Sequence, residues 1–112
     1  MVDLGGAFLG DNTVLAISEL FLSSRGKIKQ IKLMNNKITD DIFAELISRC
    51  RNATSLNLSY NSLSEKCLDW LEVYAEHLGE LRNITLSNNK IILRNNRERI
   101  DELKRRGLTV SL

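Results

Sequence analysis

The residues best equipped for chemistry in this chain are one histidine, His77, two cysteines, Cys50 and Cys67, and a basic stretch near the C-terminus. A histidine acting as general base needs partners. The serines and threonines of this chain have no histidine at a matching position to activate them, so His77 reads as a helix-end residue. Neither cysteine has a partner at a redox or zinc-ligand spacing. Gly5 and Gly6 lack the spacing of a phosphate-binding loop. The carboxylates are scattered. The expectation is a chain that is not an enzyme and has no cofactor and no metal site.

The basic stretch from Arg94 to Arg106 holds six basic and three acidic residues. Clustered positive charge could contact phosphate with salt-sensitive affinity. Glu98, Asp101 and Glu102 dilute it, however, and Lys104, Arg105 and Arg106 at a helix end complement the helix dipole. Weak nucleic-acid binding through this helix is therefore an alternative and not the leading reading. Whole-chain charge agrees: 16 basic against 14 acidic residues leave a net +2, too little to pull toward nucleic acid, membrane or acidic substrates.

The length, 112 residues, suits one domain with an adequate core. The N-terminus has neither the charged flank nor the unbroken apolar run of a signal peptide or a membrane span. Two cysteines are few for a small secreted chain, which would more often carry a disulfide framework. A cytoplasmic location with reduced thiols is expected. On that reading the glycosylation patterns at Asn52, Asn57 and Asn83 are coincidental.

The elements that position these groups come from internal repetition. Ile28-Lys-Gln-Ile31-Lys-Leu33-Met-Asn-Asn36-Lys-Ile38 recurs as Ala53-Thr-Ser-Leu56-Asn-Leu58-Ser-Tyr-Asn61-Ser-Leu63. It recurs again as Leu81-Arg-Asn-Ile84-Thr-Leu86-Ser-Asn-Asn89-Lys-Ile91. A divergent copy, with Ala7 in place of the asparagine, opens the chain, and a half copy closes it. The aligned Leu4, Leu33, Leu58, Leu86 and Leu112 are 29, 25, 28 and 26 residues apart. Alternation around these leucines makes short strands with one apolar and one polar side. Between strands the period changes to 3.6: Val14, Ile17 and Phe21, then Phe43, Leu46 and Cys50, then Leu68, Leu71 and Ala75 fall on one helical face. Cys67 lies on the flank with Thr13 and Ile42, which predicts that Cys50 is the better protected thiol.

Punctuation fits this reading. Asp11, Asp40 and Glu65 stand at helix starts, where acidic groups are favoured, and Thr39 and Ser64 are N-cap candidates. The last helix is expected over Asn96 to Arg106, closed by Gly107. Asn36, Asn61 and Asn89 form a column at the turn leaving each strand, where an amide can both donate to and accept from neighbouring backbone.

The pattern LxxLxLxxNxL resembles that of leucine-rich-repeat proteins, and its period and helix content resemble the ribonuclease-inhibitor-type subfamily. The resemblance covers essentially the whole chain. It implies an α/β solenoid, an open horseshoe arc with a parallel inner sheet of about five short strands and about four outer helices. Residues 1–112 would form one domain with repeats at about 1–27, 28–52, 53–80 and 81–107 and a terminal half repeat at 108–112. It also implies a protein partner held on the concave sheet face.

The candidate contact residues on that face are Lys32, Met34, Asn57, Ser59, Tyr60, Thr85 and Ser87. Tyr60, Met34 and Lys32 are the large or charged anchors among them, and Trp, Tyr and Arg are the types that dominate binding energy. A rival surface is the outer face. Trp70 stands at the offset of Ala16, Glu45 and Glu98, pointing away from the core, with Tyr74 one turn on. A structural segment of a longer solenoid, with its partner site elsewhere, is the second functional alternative.

The first strand begins at residue 2 with no cap before it, and unpaired strand edges invite pairing with another chain. Weak self-association through this edge is expected. Analytical ultracentrifugation should show concentration dependence that Leu4→Lys abolishes; a monomer at every accessible concentration, unchanged by the substitution, removes the idea.

Overall fold

A computed structural model of the chain describes residues 1–24 and 26–112. Among these, five strands lie parallel in one sheet in sequence order: β1 (Val2–Asp3), β2 (Gln30–Lys32), β3 (Ser55–Asn57), β4 (Asn83–Thr85) and β5 (Thr109–Ser111). The connections carry helices α1 (Asp11–Ser23), α2 (Phe43–Arg49), α3 (Lys66–Tyr74) and α4 (Leu93–Arg105). A single 3-10 turn, Asp40–Ile42, leads into α2, and another, Ala75–His77, follows α3. The chain is thus α/β with a parallel sheet and four helices, as the alternating periods require.

Strand register follows from burial. Val2, Ile31, Leu56, Ile84 and Val110 align across the sheet, as do Asp3, Lys32, Asn57, Thr85 and Ser111. A slip by one residue would turn an apolar column to solvent, so the leucine pattern selects this alignment. The apolar column joins Leu33, Leu58 and Leu86 and the inward helix residues Val14, Phe21, Phe43, Leu46, Leu68 and Leu71 in one continuous core. Truncating any one of these fully buried leucines to alanine would cost about 2–5 kcal/mol.

The turns that leave the strands are held by the asparagine column. Asn61 Oδ1 accepts the N–H groups of Asn36 at 2.9 Å and Ile38 at 3.0 Å. Its Nδ2 donates to the carbonyls of Leu33 at 3.0 Å and Leu58 at 2.9 Å. Asn89 Oδ1 accepts from Leu63 N–H at 2.9 Å, and its Nδ2 donates to the Leu58 carbonyl at 2.9 Å. Asn36 accepts from Leu9 N–H at 3.2 Å and donates to the Leu4 carbonyl at 2.9 Å. Each amide therefore serves its own turn and the preceding one.

A second ladder runs past the helix starts. Asp11 accepts the Thr39 N–H at 2.9 Å and the Thr39 hydroxyl at 2.6 Å. Asp40 accepts the N–H and hydroxyl of Ser64 in the same way. The Thr39 hydroxyl caps the turn into α2 by accepting from Asp41 N–H; the Ser64 hydroxyl accepts from Lys66 N–H, but the N-cap of α3 is Glu65, one residue beyond the expected Ser64. The acids that favour the helix dipole thus also tie adjacent segments together.

Two further local expectations are corrected. The last helix begins at Leu93, three residues before the expected Asn96. Asn96 is buried within it, because its amide donates to the Ile92 carbonyl at 2.8 Å and to Glu65 at 3.1 Å. The helix ends as expected, with Gly107 at φ 98° and Leu108 N–H bonded to the Leu103 carbonyl at 2.9 Å. The second correction is Cys67, which is not on an accessible flank. It is 1% exposed, the same as Cys50, and belongs to the continuous core.

Burial pushes the Cys50 thiol up to about 12. Burial, reinforced by the nearby Asp40, pushes Cys67 up to about 12 as well. Both thiols should therefore resist alkylation at neutral pH in the folded protein and react together on unfolding; rapid labelling of either in native buffer would contradict their packing. The ordinary value is 9.0, so the unfolded chain releases these protons first. Their contribution to stability is complete below pH 9 and is lost as pH rises toward 12. A Cys50→Ala/Cys67→Ala variant should show a shallower alkaline decline in denaturant titrations. In the same titrations Asn61→Leu should destabilise by about 1–3 kcal/mol, because it strips partners from buried backbone groups; no change would mean that the turns do not need the amide.

Candidate functional site

With the apolar side of every strand in the core, the other side of the sheet is free. It presents Asp3, Lys32, Asn57, Thr85 and Ser111 in one column and Gln30, Ser55, Asn83 and Thr109 in the next. Every one of these residues is exposed or partly exposed. Beyond the strands the backbone ladder continues through Gly6 N–H to Met34, Asn35 N–H to Ser59 and Tyr60 N–H to Ser87 carbonyls. This extension aligns Met34, Ser59 and Ser87 beside the strand columns.

Six of the seven residues expected on this face are accessible to some degree. Ser59 is the exception and is corrected: it is 4% exposed. Asn57 Oδ1 accepts both the Ser59 N–H at 3.0 Å and the Ser59 hydroxyl at 2.7 Å. The asparagine side chain thereby folds over the serine, and part of its own capacity to bond a ligand is already used. Tyr60 is 52% exposed at a backbone φ of 57°. Asn35 and Asn88 hold the equivalent positions with φ 55° and 59°, and asparagine is the residue that tolerates this region best after glycine. A tyrosine kept in this conformation points its ring outward at the edge of the sheet face.

The outer helical surface is arranged differently from the sequence expectation. Trp70 does not stand free beside Tyr74. It leans into the groove between α2 and α3, meeting Phe43 edge-on with ring centroids 5.8 Å apart, while Tyr74 tilts against its other side at 4.7 Å. Such pairs add about 0.5–1.5 kcal/mol beyond their burial. Trp70 is partly buried and Tyr74 is 44% exposed. The ring divides the groove into two cups. One, of about 220 Å³, is bounded by Asp40, Asp41, Phe43, Ala44, Lys66 and Cys67. The other, of about 110 Å³, is bounded by Ile47, Ser48, Arg51, Tyr74, His77 and Leu78.

Charges on the helices are largely spoken for. Arg99 bonds both Asp69 and Glu72 on α3; burial works against its charge, but these bonds outweigh it and hold its pKa above the usual value. Arg106 pairs with Glu76 at 2.6 Å and holds that carboxyl below the usual range. Arg105 pairs with Glu102 at 2.6 Å, Arg49 with Glu45 at 2.6 Å and Lys29 with Glu80 at 2.8 Å. Three of the six bases of the C-terminal stretch are therefore engaged within the fold.

Sequence spacing could not show that Arg51 and His77, 26 positions apart, meet at one cup. Nor could it show that Arg49 reaches across to the Leu15 carbonyl and the Ser18 hydroxyl. The only signal available was negative: both Arg51 and His77 fall just outside the periodic core positions. Among the described residues, no group of three or more His, Cys, Asp or Glu is placed to hold a metal ion, and no helix is long and apolar enough to cross a membrane. Comparison with protein-family models, with curated proteins and with solved structures gives no significant match to this chain.

Proposed function

We propose that this chain is a leucine-rich-repeat module of the ribonuclease-inhibitor type that binds a protein partner on the free face of its sheet. The observation that carries the reading is that helices cover only one side of an all-parallel sheet. Such sheets are ordinarily covered on both faces. Here the second face is polar, in register and open, so it can stay in water or receive a partner. In a stacked-repeat arrangement this is the concave surface, where such proteins present their binding residues.

Lys32, Met34 and Tyr60 supply the anchors, and Asn57, Thr85 and Ser87 supply surrounding hydrogen-bonding groups. His77 is exposed in the turn after α3. Two unpaired, buried thiols suit a reducing compartment, which supports a cytoplasmic location. The nucleic-acid alternative would rest on Arg94, Arg97 and Lys104 after the ion pairs are discounted, a thin basis for phosphate binding.

Affinity capture should test this with the wild type, a Lys32→Glu/Tyr60→Ala variant and a Tyr74→Ala variant, all checked for unchanged thermal unfolding. Proteins retained by the wild type and by Tyr74→Ala should bind the sheet-face variant at least about tenfold more weakly, the effect of losing one central anchor. Undiminished capture by Lys32→Glu/Tyr60→Ala would refute the assignment of the face.

A further inference from the structure

The smaller cup on the outer surface has the composition of a site for one side chain. Its walls are Ile47 and Leu78, both buried, and the Trp70 and Tyr74 rings. Its volume of about 110 Å³ is somewhat below the roughly 150 Å³ of an apolar cavity that accepts benzene. One aliphatic side chain would fill it. The cup lies between helices, away from the sheet face, so it is independent of the binding surface assigned above.

Its rim carries one cationic side chain, Arg51, and an imidazole, His77. Arg51 follows the end of α2, and His77 lies in the turn after α3. Arg51 is fixed there by its backbone. Its carbonyl accepts Glu80 N–H at 2.8 Å, and a Cβ at Gly79 would fall 2.5 Å from that carbonyl oxygen. Only glycine allows the turn after α3 to close this tightly, at a φ of 62°. The nearby carboxylates are already occupied: Glu45 by Arg49, Glu76 by Arg106 and Glu80 by Lys29. Among the described residues Arg51 makes no ion pair.

We propose that this cup is a second docking site, which takes a polypeptide segment carrying an aliphatic side chain next to a carboxylate. The aliphatic group enters between Trp70 and Leu78, and the carboxylate meets the Arg51 guanidinium at the rim. Guanidinium is suited to this because it bonds a carboxylate through two parallel N–H groups. The charge selects the segment: a basic flank would meet the Arg51 guanidinium with like charge, a mismatch that discriminates between partners. Tyr74, 44% exposed in the free protein, loses exposure when the cup is filled.

Trp70 is the only tryptophan in the chain, so its emission reports directly on the cup. The probe is a capped pentapeptide with two adjacent leucines flanked by aspartates, titrated to millimolar concentration into the full chain. A saturable blue shift of Trp70 emission is expected, weakened by added salt. The same peptide with lysines in place of aspartates should give none. Arg51→Glu should weaken binding by about tenfold or more and Arg51→Gln by less, with circular dichroism confirming that both variants fold. Tyr60→Ala, on the sheet face, should bind the peptide as the wild type does. An absent emission change, an equal response to the lysine peptide, or loss of binding in Tyr60→Ala would each overturn the proposal. Because capture by the sheet face is read with other variants, the two assignments fail separately.

Discussion

A strand-to-helix turn stacked between two others has backbone N–H and carbonyl groups that water cannot reach. Leaving such groups unpaired costs about 1–3 kcal/mol each, and successive turns of this chain face that cost again and again. The column of asparagines removes it. An amide side chain carries a donor and an acceptor at a fixed angle, so one residue can bond its own turn and the one before it. Asn61 does so with Leu58 on one side and Asn36, Ile38 and Leu33 on the other. Asp11 and Asp40 do the equivalent at the helix starts, through Thr39 and Ser64. Between these two ladders the strand register and the spacing of the apolar column have little freedom left.

Once the turns are fixed, the surfaces divide by periodicity. The apolar side of the strands and the inward side of the helices merge in one core. What remains is a polar sheet face and a helical face, and they differ in how charge is used. The sheet face carries Asp3 and Lys32 among neutral side chains. On the helical face Arg99 ties α4 to α3, and Arg106, just after α4, ties to Glu76 in the turn after α3. Exposed pairs of this kind contribute little to stability, so their main effect here is on what is left over. By neutralising Glu72, Glu76 and Asp69 internally, they leave Arg51 as the charged group at the cup beside Trp70.

Much of the fold was legible because it depends on short-range pattern. Alternation around Leu33, Leu58 and Leu86 fixed the strands, and the inward face of three helices followed from offsets of three and four residues. Gly107 marked the end of α4 by its chemistry. The start of α4 lies at Leu93 and not at the expected Asn96, because Asn96 is held inside the helix. Inside the helix the Asn96 amide donates both to the Ile92 carbonyl and to Glu65, 31 positions earlier. The sheet face was legible column by column for the same reason as the strands, although Ser59 is buried where its N–H and hydroxyl donate to the Asn57 side chain.

The sequence by itself therefore determined the order and type of the elements, the core face of each and the asparagine column. All of these repeat within one segment and obey periods of 2 or 3.6. Tertiary structure alone decided the burial of Cys67, the inward lean of Trp70 and the meeting of Arg51 with His77. Each of these lies where two helices touch sideways. The helical period says which side of a helix faces its own strand. It does not say how closely the next helix approaches, because that distance depends on side chains about 25–30 residues away packing together.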